Sequence, residues 1–247
     1  MKKGFSFYEM HPEIYEEAFN EKDINEQVNF LKRVLTKHNA RNVLDLACGH
    51  SPHARALAKL GFNITGLDIS SSLIELAKKR AKEENVKIEL HKKDMKKFDI
   101  GKFDAAYIMF SSILHLHEPE DILSHFESVN KSLKNDGIYI IDISSLPFHD
   151  PDLNAKFHKH NGKIITDVLY EPIENQVSKA KFSVTNYKLG KKINHETFTV
   201  LRYFPLALLQ YLCTKTGFKI HAVFQNFKFK DGATPKQEYI AIIKKVK

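Results

Sequence analysis

Asp45, Gly49, Asp68 and the pair Asp94-Met95 are the residues whose types and spacing promise chemistry. Asp45 interrupts the apolar run VLDLACG, four residues before Gly49. A glycine has no Cβ, so the backbone there can pass close to a ligand. Asp68 closes the run NITGLD, 68 − 49 = 19 residues beyond that glycine. An acid at about that offset is suited to accept both hydroxyls of a ribose. A carboxylate at Asp94 can accept from the amino group of a purine while Met95 packs on its face. Between Gly49 and the next apolar run, Ser51-Pro52 opens a helix: serine can cap it, and proline loses nothing at the first position. The helix start offers N–H groups and partial positive charge to a carboxylate or phosphate. Asp45 has a plainer alternative, capping the loop backbone.

The elements that must hold these residues alternate. Ile24, Val28, Leu31 and Leu35 recur at helical spacing after Asp23-Ile24-Asn25-Glu26, so the pattern predicts a helix over 24–38. Strands follow at 42–47, 63–68, 87–90, 103–110 and 138–143. Helices lie between them: one ends at Gly61, one opens at a capping box of Ser72 and Glu75, and one carries Ile122, Phe126, Val129 and Leu133 to a stop near Gly137. FDAAYIMF is apolar nearly throughout, as a strand buried on both faces should be. Strand and helix in alternation predict an α/β, doubly wound parallel sheet. Ligands of such sheets bind beyond the carboxyl ends of the strands, where the strand order reverses. Asp45, Asp68, Asp94 and Phe110-Ser111 all fall at such ends.

From about 163 to 204 the pattern changes to long strand-like runs, KIITDVLYEP, QVSKAKFSVTNYKLG and HETFTVLRYF, which predict an antiparallel hairpin or three-stranded sheet. Pro205 then starts a helix ending at Gly217, and FKIHAVFQNF and QEYIAIIKKV complete the main sheet. The expected division is an N-terminal helical segment (1–40), a nucleotide-binding α/β domain (41–145 and 205–247) and a β insertion (146–204).

The chain has 247 residues, 43% of them hydrophobic, which suffices for one substantial core. Its formal charge of +8 favours acidic partners, although a lysine-rich surface has the same count. Two cysteines, Cys48 and Cys213, exclude a disulfide framework and fit an intracellular, cytoplasmic protein. No apolar stretch reaches the roughly 18 residues of a membrane span, and no signal peptide follows the two N-terminal lysines.

In this order and spacing, VLDLACG, GLDIS (66–70), KKDM (92–95) and FDAAYIMFSSILHL (103–116) resemble the motifs of the class I S-adenosylmethionine-dependent methyltransferases. LKNDGIYIIDI (133–143) and TGF (216–218) fit the same layout. The resemblance implies a seven-stranded, mostly parallel Rossmann-like sheet with the β insertion after its fifth strand. It implies S-adenosyl-L-methionine as cofactor, with S-adenosyl-L-homocysteine as product, and contacts from Asp45, Ala47, Cys48, Gly49, Asp68, Ile69, Asp94, Met95 and Phe110. It also implies that segment 7–19 folds over the cofactor, with Tyr15 as a contact. The family usually has Gly-x-Gly where this chain has Gly49-His50-Ser51.

The expected reaction is methyl transfer to a small-molecule N, O or C nucleophile, with His115, Asp142 and Tyr203 as candidates on the acceptor side. The insertion then serves as a substrate lid, or as a contact in a homodimer. Other readings stay open. An RNA or tRNA methyltransferase would use the basic surface around Lys92, Lys93, Lys96 and Lys97, but no RNA-binding pattern accompanies it. A nucleoside-binding protein without catalysis is the alternative from outside the enzymes. A nicotinamide-dinucleotide enzyme would want Gly-x-Gly-x-x-Gly, where this chain has Gly49, Ser51 and Ala54. No metal is expected: His149-Asp150 and His158-Lys159-His160 read as a polar loop, and His50 and His53 as surface residues of an early helix turn.

Overall fold

Alternate residues of the central strands go to opposite faces, and both faces are buried. In the computed structural model, Ile138 and Ile140 pack with Val43, Ala105 and Tyr107 on one side of the sheet, while Tyr139, Ile141, Ala106 and Ile108 pack on the other. Helices must therefore cover both sides. The structure describes residues 12, 13, 16, 24–143, 155–158, 164–172, 177–186, 193–233 and 239–246.

The first face is covered by α1 (Ile24–Lys37) and α2 (Pro52–Lys59). The second is covered by α4 (Pro119–Ser132) and α5 (Leu206–Thr216), and α3 (Ser71–Glu83) follows β2. Between them run β1 (Asn42–Leu46), β2 (Asn63–Asp68), β3 (Glu89–Lys92), β4 (Phe103–Ile108), β5 (Leu133–Ile143), β10 (Phe218–Phe224) and β11 (Tyr239–Lys245). Their order is β10-β11-β5-β4-β1-β2-β3, parallel except where β11 runs against both neighbours. The chain winds outward from β1 to β3, then returns to place β4 on the other side of β1. That reversal is the switch point at which open α/β sheets bind ligands.

A second sheet of four antiparallel strands follows β5: β6 (Ala155–His158), β7 (Ile164–Pro172), β8 (Val177–Asn186) and β9 (Ile193–Arg202). It has one strand more than the sequence pattern predicts, because β6 adds to the free edge of β7. His158 ends that strand rather than lying in a loop; His149, Asp150, His160 and Tyr15 lie outside the described residues.

Three other expectations shift. β3 spans Glu89–Lys92, two residues later than predicted, since its register with β2 pairs Thr65 with Glu89 and Asp68 with Lys92. β5 starts at Leu133, which the helical spacing had assigned to α4; the strand extends back over Lys134–Gly137 to pair Leu133 with Phe103. The cap of α3 is Ser70, whose Oγ accepts from the Leu73 N–H at 3.2 Å, not Ser72.

Candidate functional site

The loop leaving β1 runs through three left-handed backbone positions, Ala47 (φ 53°), Gly49 (φ 55°) and Ser51 (φ 60°). The loop leaving β4 has two more, Phe110 and Ser111, both at φ 54°. Among the described residues, eight non-glycine residues have positive φ, and three of them are Asn or Asp, which tolerate it. Four of the other five lie in these two loops. Such conformations cost of order 1–3 kcal/mol each and persist where the surroundings impose them, characteristically at ligand sites. Ser51 is one of them: it caps α2 by position, but its side chain makes no cap hydrogen bond. The expected serine cap is therefore absent, because a left-handed backbone turns Oγ away from the helix N–H groups.

Asp68 ties these loops together. Its Oδ2 accepts the Gly49 N–H and its Oδ1 accepts the Ser70 N–H, both at 2.8 Å. The carboxylate is thus fixed between the exits of β1 and β2, and 8% exposed. Beside it Ile69 is 63% exposed, a large apolar side chain standing open at the end of a buried strand. Gly66, two residues before Asp68, faces Cys48: a Cβ there would lie 2.9 Å from its Sγ. The Cys48 N–H donates to the Leu67 carbonyl at 2.9 Å, closing the two exits on each other.

Asp45 is buried, and burial pushes its carboxyl well above the usual range. The Tyr107 hydroxyl opposes that shift without reaching good hydrogen-bond geometry, and the charge of Asp68 adds to it. Burial also raises the Cys48 thiol, with Asp45 and Asp68 contributing. Buried acidic groups thus gather beneath the exits of β1 and β2, which suits a cation. Among the described residues no loop N–H donates to Asp45; Gly49 gives its hydrogen to Asp68 instead.

Asp94 and Met95 follow β3. Asp94 Oδ1 accepts the Lys96 N–H at 2.9 Å in a tight turn, and Met95 is half-buried against the core. The lysine cluster around them is divided: Lys96 pairs with Asp121, while Lys92, Lys93 and Lys97 are exposed.

Asp142, near the end of β5, accepts the Phe110 N–H at 2.8 Å through Oδ2 and so holds the left-handed turn after β4. Burial in this region pulls the half-buried His115 down to about 4, with His117 adding to the shift. His115 ends the 3₁₀ turn Ser112–His115, on which the end of β9 packs. Arg202 Nε donates to the His117 carbonyl at 2.6 Å, and burial raises the neighbouring Tyr203 phenol. Asp142 and the turn that ends at His115 thus meet after β4, and Arg202, the neighbour of Tyr203, bonds to the residue two beyond His115.

Spacing alone missed several supports. His50 and His53 are buried, 2% and 3% exposed, not surface residues. α2 lies flat on the sheet, so His53 Nε2 meets Gln27 Oε1 of α1 and its ring packs 5.0 Å from that of Phe110. Glu16 is buried and bound to Arg80 of α3, which pins part of the N-terminal segment there. His125 is fully buried on α4; a histidine inside the stripe Ile122-Phe126-Val129 was the signal for it.

Residues 43–137 match a family model described as a methyltransferase domain. A dTDP-3-amino-3,4,6-trideoxy-α-D-glucopyranose N,N-dimethyltransferase of Streptomyces venezuelae is 27% identical over 159 residues, 63% of this chain and 65% of that one. Across four such relatives the matches span from 47% to 90% of the relative's own length. Two crystal structures share the fold. One is an S-adenosylmethionine-dependent methyltransferase from Clostridium acetobutylicum ATCC 824, with TM-score 0.83 and 17% identity over 95% of this chain and 97% of that one. The other is the sugar N-methyltransferase KedS8 from Streptoalloteichus sp. ATCC 53650, with TM-score 0.80 and 18% identity over 99% of this chain and 96% of that one.

Proposed function

We propose that this chain is a class I S-adenosylmethionine-dependent methyltransferase that transfers the cofactor's methyl group to a small-molecule acceptor, with an amine as the nucleophile; the matching methyltransferase-domain model and the shared fold support this. The observation that carries the cofactor's placement is Asp68, held by the Gly49 and Ser70 N–H groups between the first two strand exits and flanked by the exposed Ile69. The donor set fits the group. Asp68 keeps lone pairs for ribose hydroxyls, Ile69 and Met95 offer apolar faces to a purine, Asp94 can accept its amino group, and the acidic floor at Asp45 faces the cationic end. When bound, S-adenosylmethionine supplies a methyl group already activated on a sulfonium.

The protein's own residues then have mainly to align the acceptor and exclude water. At pH 7 the His115 ring is neutral, since burial pulls it to about 4. It offers a lone pair to orient an amine and receive its proton transiently. Tyr203 offers a phenol whose proton burial retains. The four-stranded sheet acts as the lid, because β9 packs on the 3₁₀ turn that carries His115. An amine acceptor is supported by the relatives whose names specify N-methylation of amino sugars.

The test is calorimetric titration with S-adenosylhomocysteine and with NAD, followed by methyl-transfer assays on amino sugars, simple amines and bulk RNA. Binding of S-adenosylhomocysteine alone and transfer to an amine are expected. Transfer only to RNA would overturn the acceptor class.

A further inference from the structure

The turn that carries Asp94 is gripped along one face of α4. Lys96 pairs with Asp121, the Met95 carbonyl meets His125 Nδ1 at 2.7 Å, and the Phe98 N–H meets Ser128 Oγ at 3.4 Å. Positions 121, 125 and 128 are spaced four and three apart, so they share one helix face. The Phe98–Ser128 contact is buried and the Met95 contact part-buried, while the His125 side chain itself is fully buried. The Met95 carbonyl can only accept, so Nδ1 of His125 carries the hydrogen. Nε2 is then the acceptor and takes the hydroxyl hydrogen of Tyr139, at 2.8 Å on β5. Burial pulls His125 to about 4, which keeps the ring neutral and this pattern single at pH 7.

The carbonyl of Met95 and the N–H of Lys96 belong to one planar peptide group. His125 binds that group at its oxygen, and Asp94 Oδ1 binds it at its hydrogen. A plane held at both ends transmits orientation, and each bond polarises the other. We propose that His125 is a positioning residue for purine recognition: through the Met95–Lys96 peptide it fixes the direction in which the Asp94 carboxylate faces the purine's amino group. The proposal rests on the reading of Asp94 as the acceptor of that amino group.

The test compares dissociation constants for S-adenosylhomocysteine and S-inosylhomocysteine, which carries a carbonyl oxygen where adenine has its amino group. The wild-type chain should prefer the adenosyl compound by about 10- to 100-fold, the range of a hydrogen bond to a charged group. His125→Phe alone would strand the Tyr139 hydroxyl, so the informative variant is His125→Phe with Tyr139→Phe, shown by thermal melting to be folded. Its preference should fall about tenfold, while Tyr139→Phe alone, which keeps the bond to Met95, should retain it. His125→Asn, with an amide N–H near the Nδ1 position, should restore part of the preference. A folded double variant with the wild-type preference would overturn the role of His125 and leave Asp94 standing. A wild-type chain indifferent to the two compounds would overturn both.

Discussion

Asp45→Asn should make the ligand-free protein more stable and its cofactor weaker. The wild-type carboxyl is 3% exposed and faces Asp68 across the pocket floor, so folding takes a charge out of water toward another of the same sign. Its pKa in the folded chain lies well above the 3.8 of an ordinary aspartate. The folded state therefore binds more protons than the unfolded one, and stability falls as pH rises from about 4 through the folded pKa. Asparagine has the same shape and no charge. Removing the cost of a buried, poorly paired carboxylate should stabilise by about 1–3 kcal/mol at neutral pH. For a chain of this size that raises the melting temperature by about 2–4 °C per kcal/mol. The gain should shrink as pH is lowered toward 4, where the wild-type carboxyl is protonated. Loss of the charge facing the sulfonium and ammonium should weaken S-adenosylmethionine by about 2 kcal/mol, near 30-fold. Scanning calorimetry between pH 4 and 8 and titration calorimetry with the cofactor read the two halves separately. A variant that melts no higher than wild type at pH 7 would refute the electrostatic account. Unchanged affinity would refute the placement of Asp45 at the cationic end.

Asp68→Ala should weaken cofactor binding by about 1.5–3 kcal/mol and also lower the melting temperature, because the Gly49 and Ser70 N–H groups lose their acceptor; titration and melting of the one variant check both. Gly66→Ala should cost about 1–3 kcal/mol by overpacking, since the new methyl would meet Cys48 Sγ at 2.9 Å and Leu90 at 3.0 Å. Adding Cys48→Ala should recover part of that loss, as a denaturation-based double-mutant cycle would show. Glu16→Gln should loosen the N-terminal segment, read as faster hydrogen exchange around residue 16. Burial raises the Glu16 carboxyl, but Arg80 more than offsets it, so the net pKa lies below 4.5. Its contribution is therefore present above about pH 4.5 and should be lost as pH falls below that value.

The strand-end positions of the acids proposed for the site were legible, because strand ends follow from apolar periodicity and glycine stops. Asp104 shows what spacing alone cannot separate. It too lies in an apolar strand, yet at the N-terminal end of β4, where the Arg41 and Asn42 N–H groups and Lys134 occupy it. The left-handed Ser51 was not legible, because serine before proline reads as an ordinary cap and nothing local announces φ 60°. His50 and His53 were misplaced because a short helix gives little periodicity, and their burial depends on α1, which is distant in sequence. The burial of His125 was readable from the stripe Ile122-Phe126-Val129, but its partners were not, for the same reason: Met95 and Tyr139 lie 30 and 14 residues away.

β11 lies between β5 and β10 and hydrogen-bonds to both. On the ribosome, the strand that fills this slot is synthesised after every other strand of the sheet. Until residues 239–245 emerge, β5 presents an open, strongly apolar edge, the kind of surface at which nascent chains pair wrongly with one another. The switch-point strands β1, β2 and β4 make no ladder pairing with β11, so their own pairing can form while that edge is still exposed. Early ligand capture would then stabilise a half-finished sheet against aggregation during synthesis.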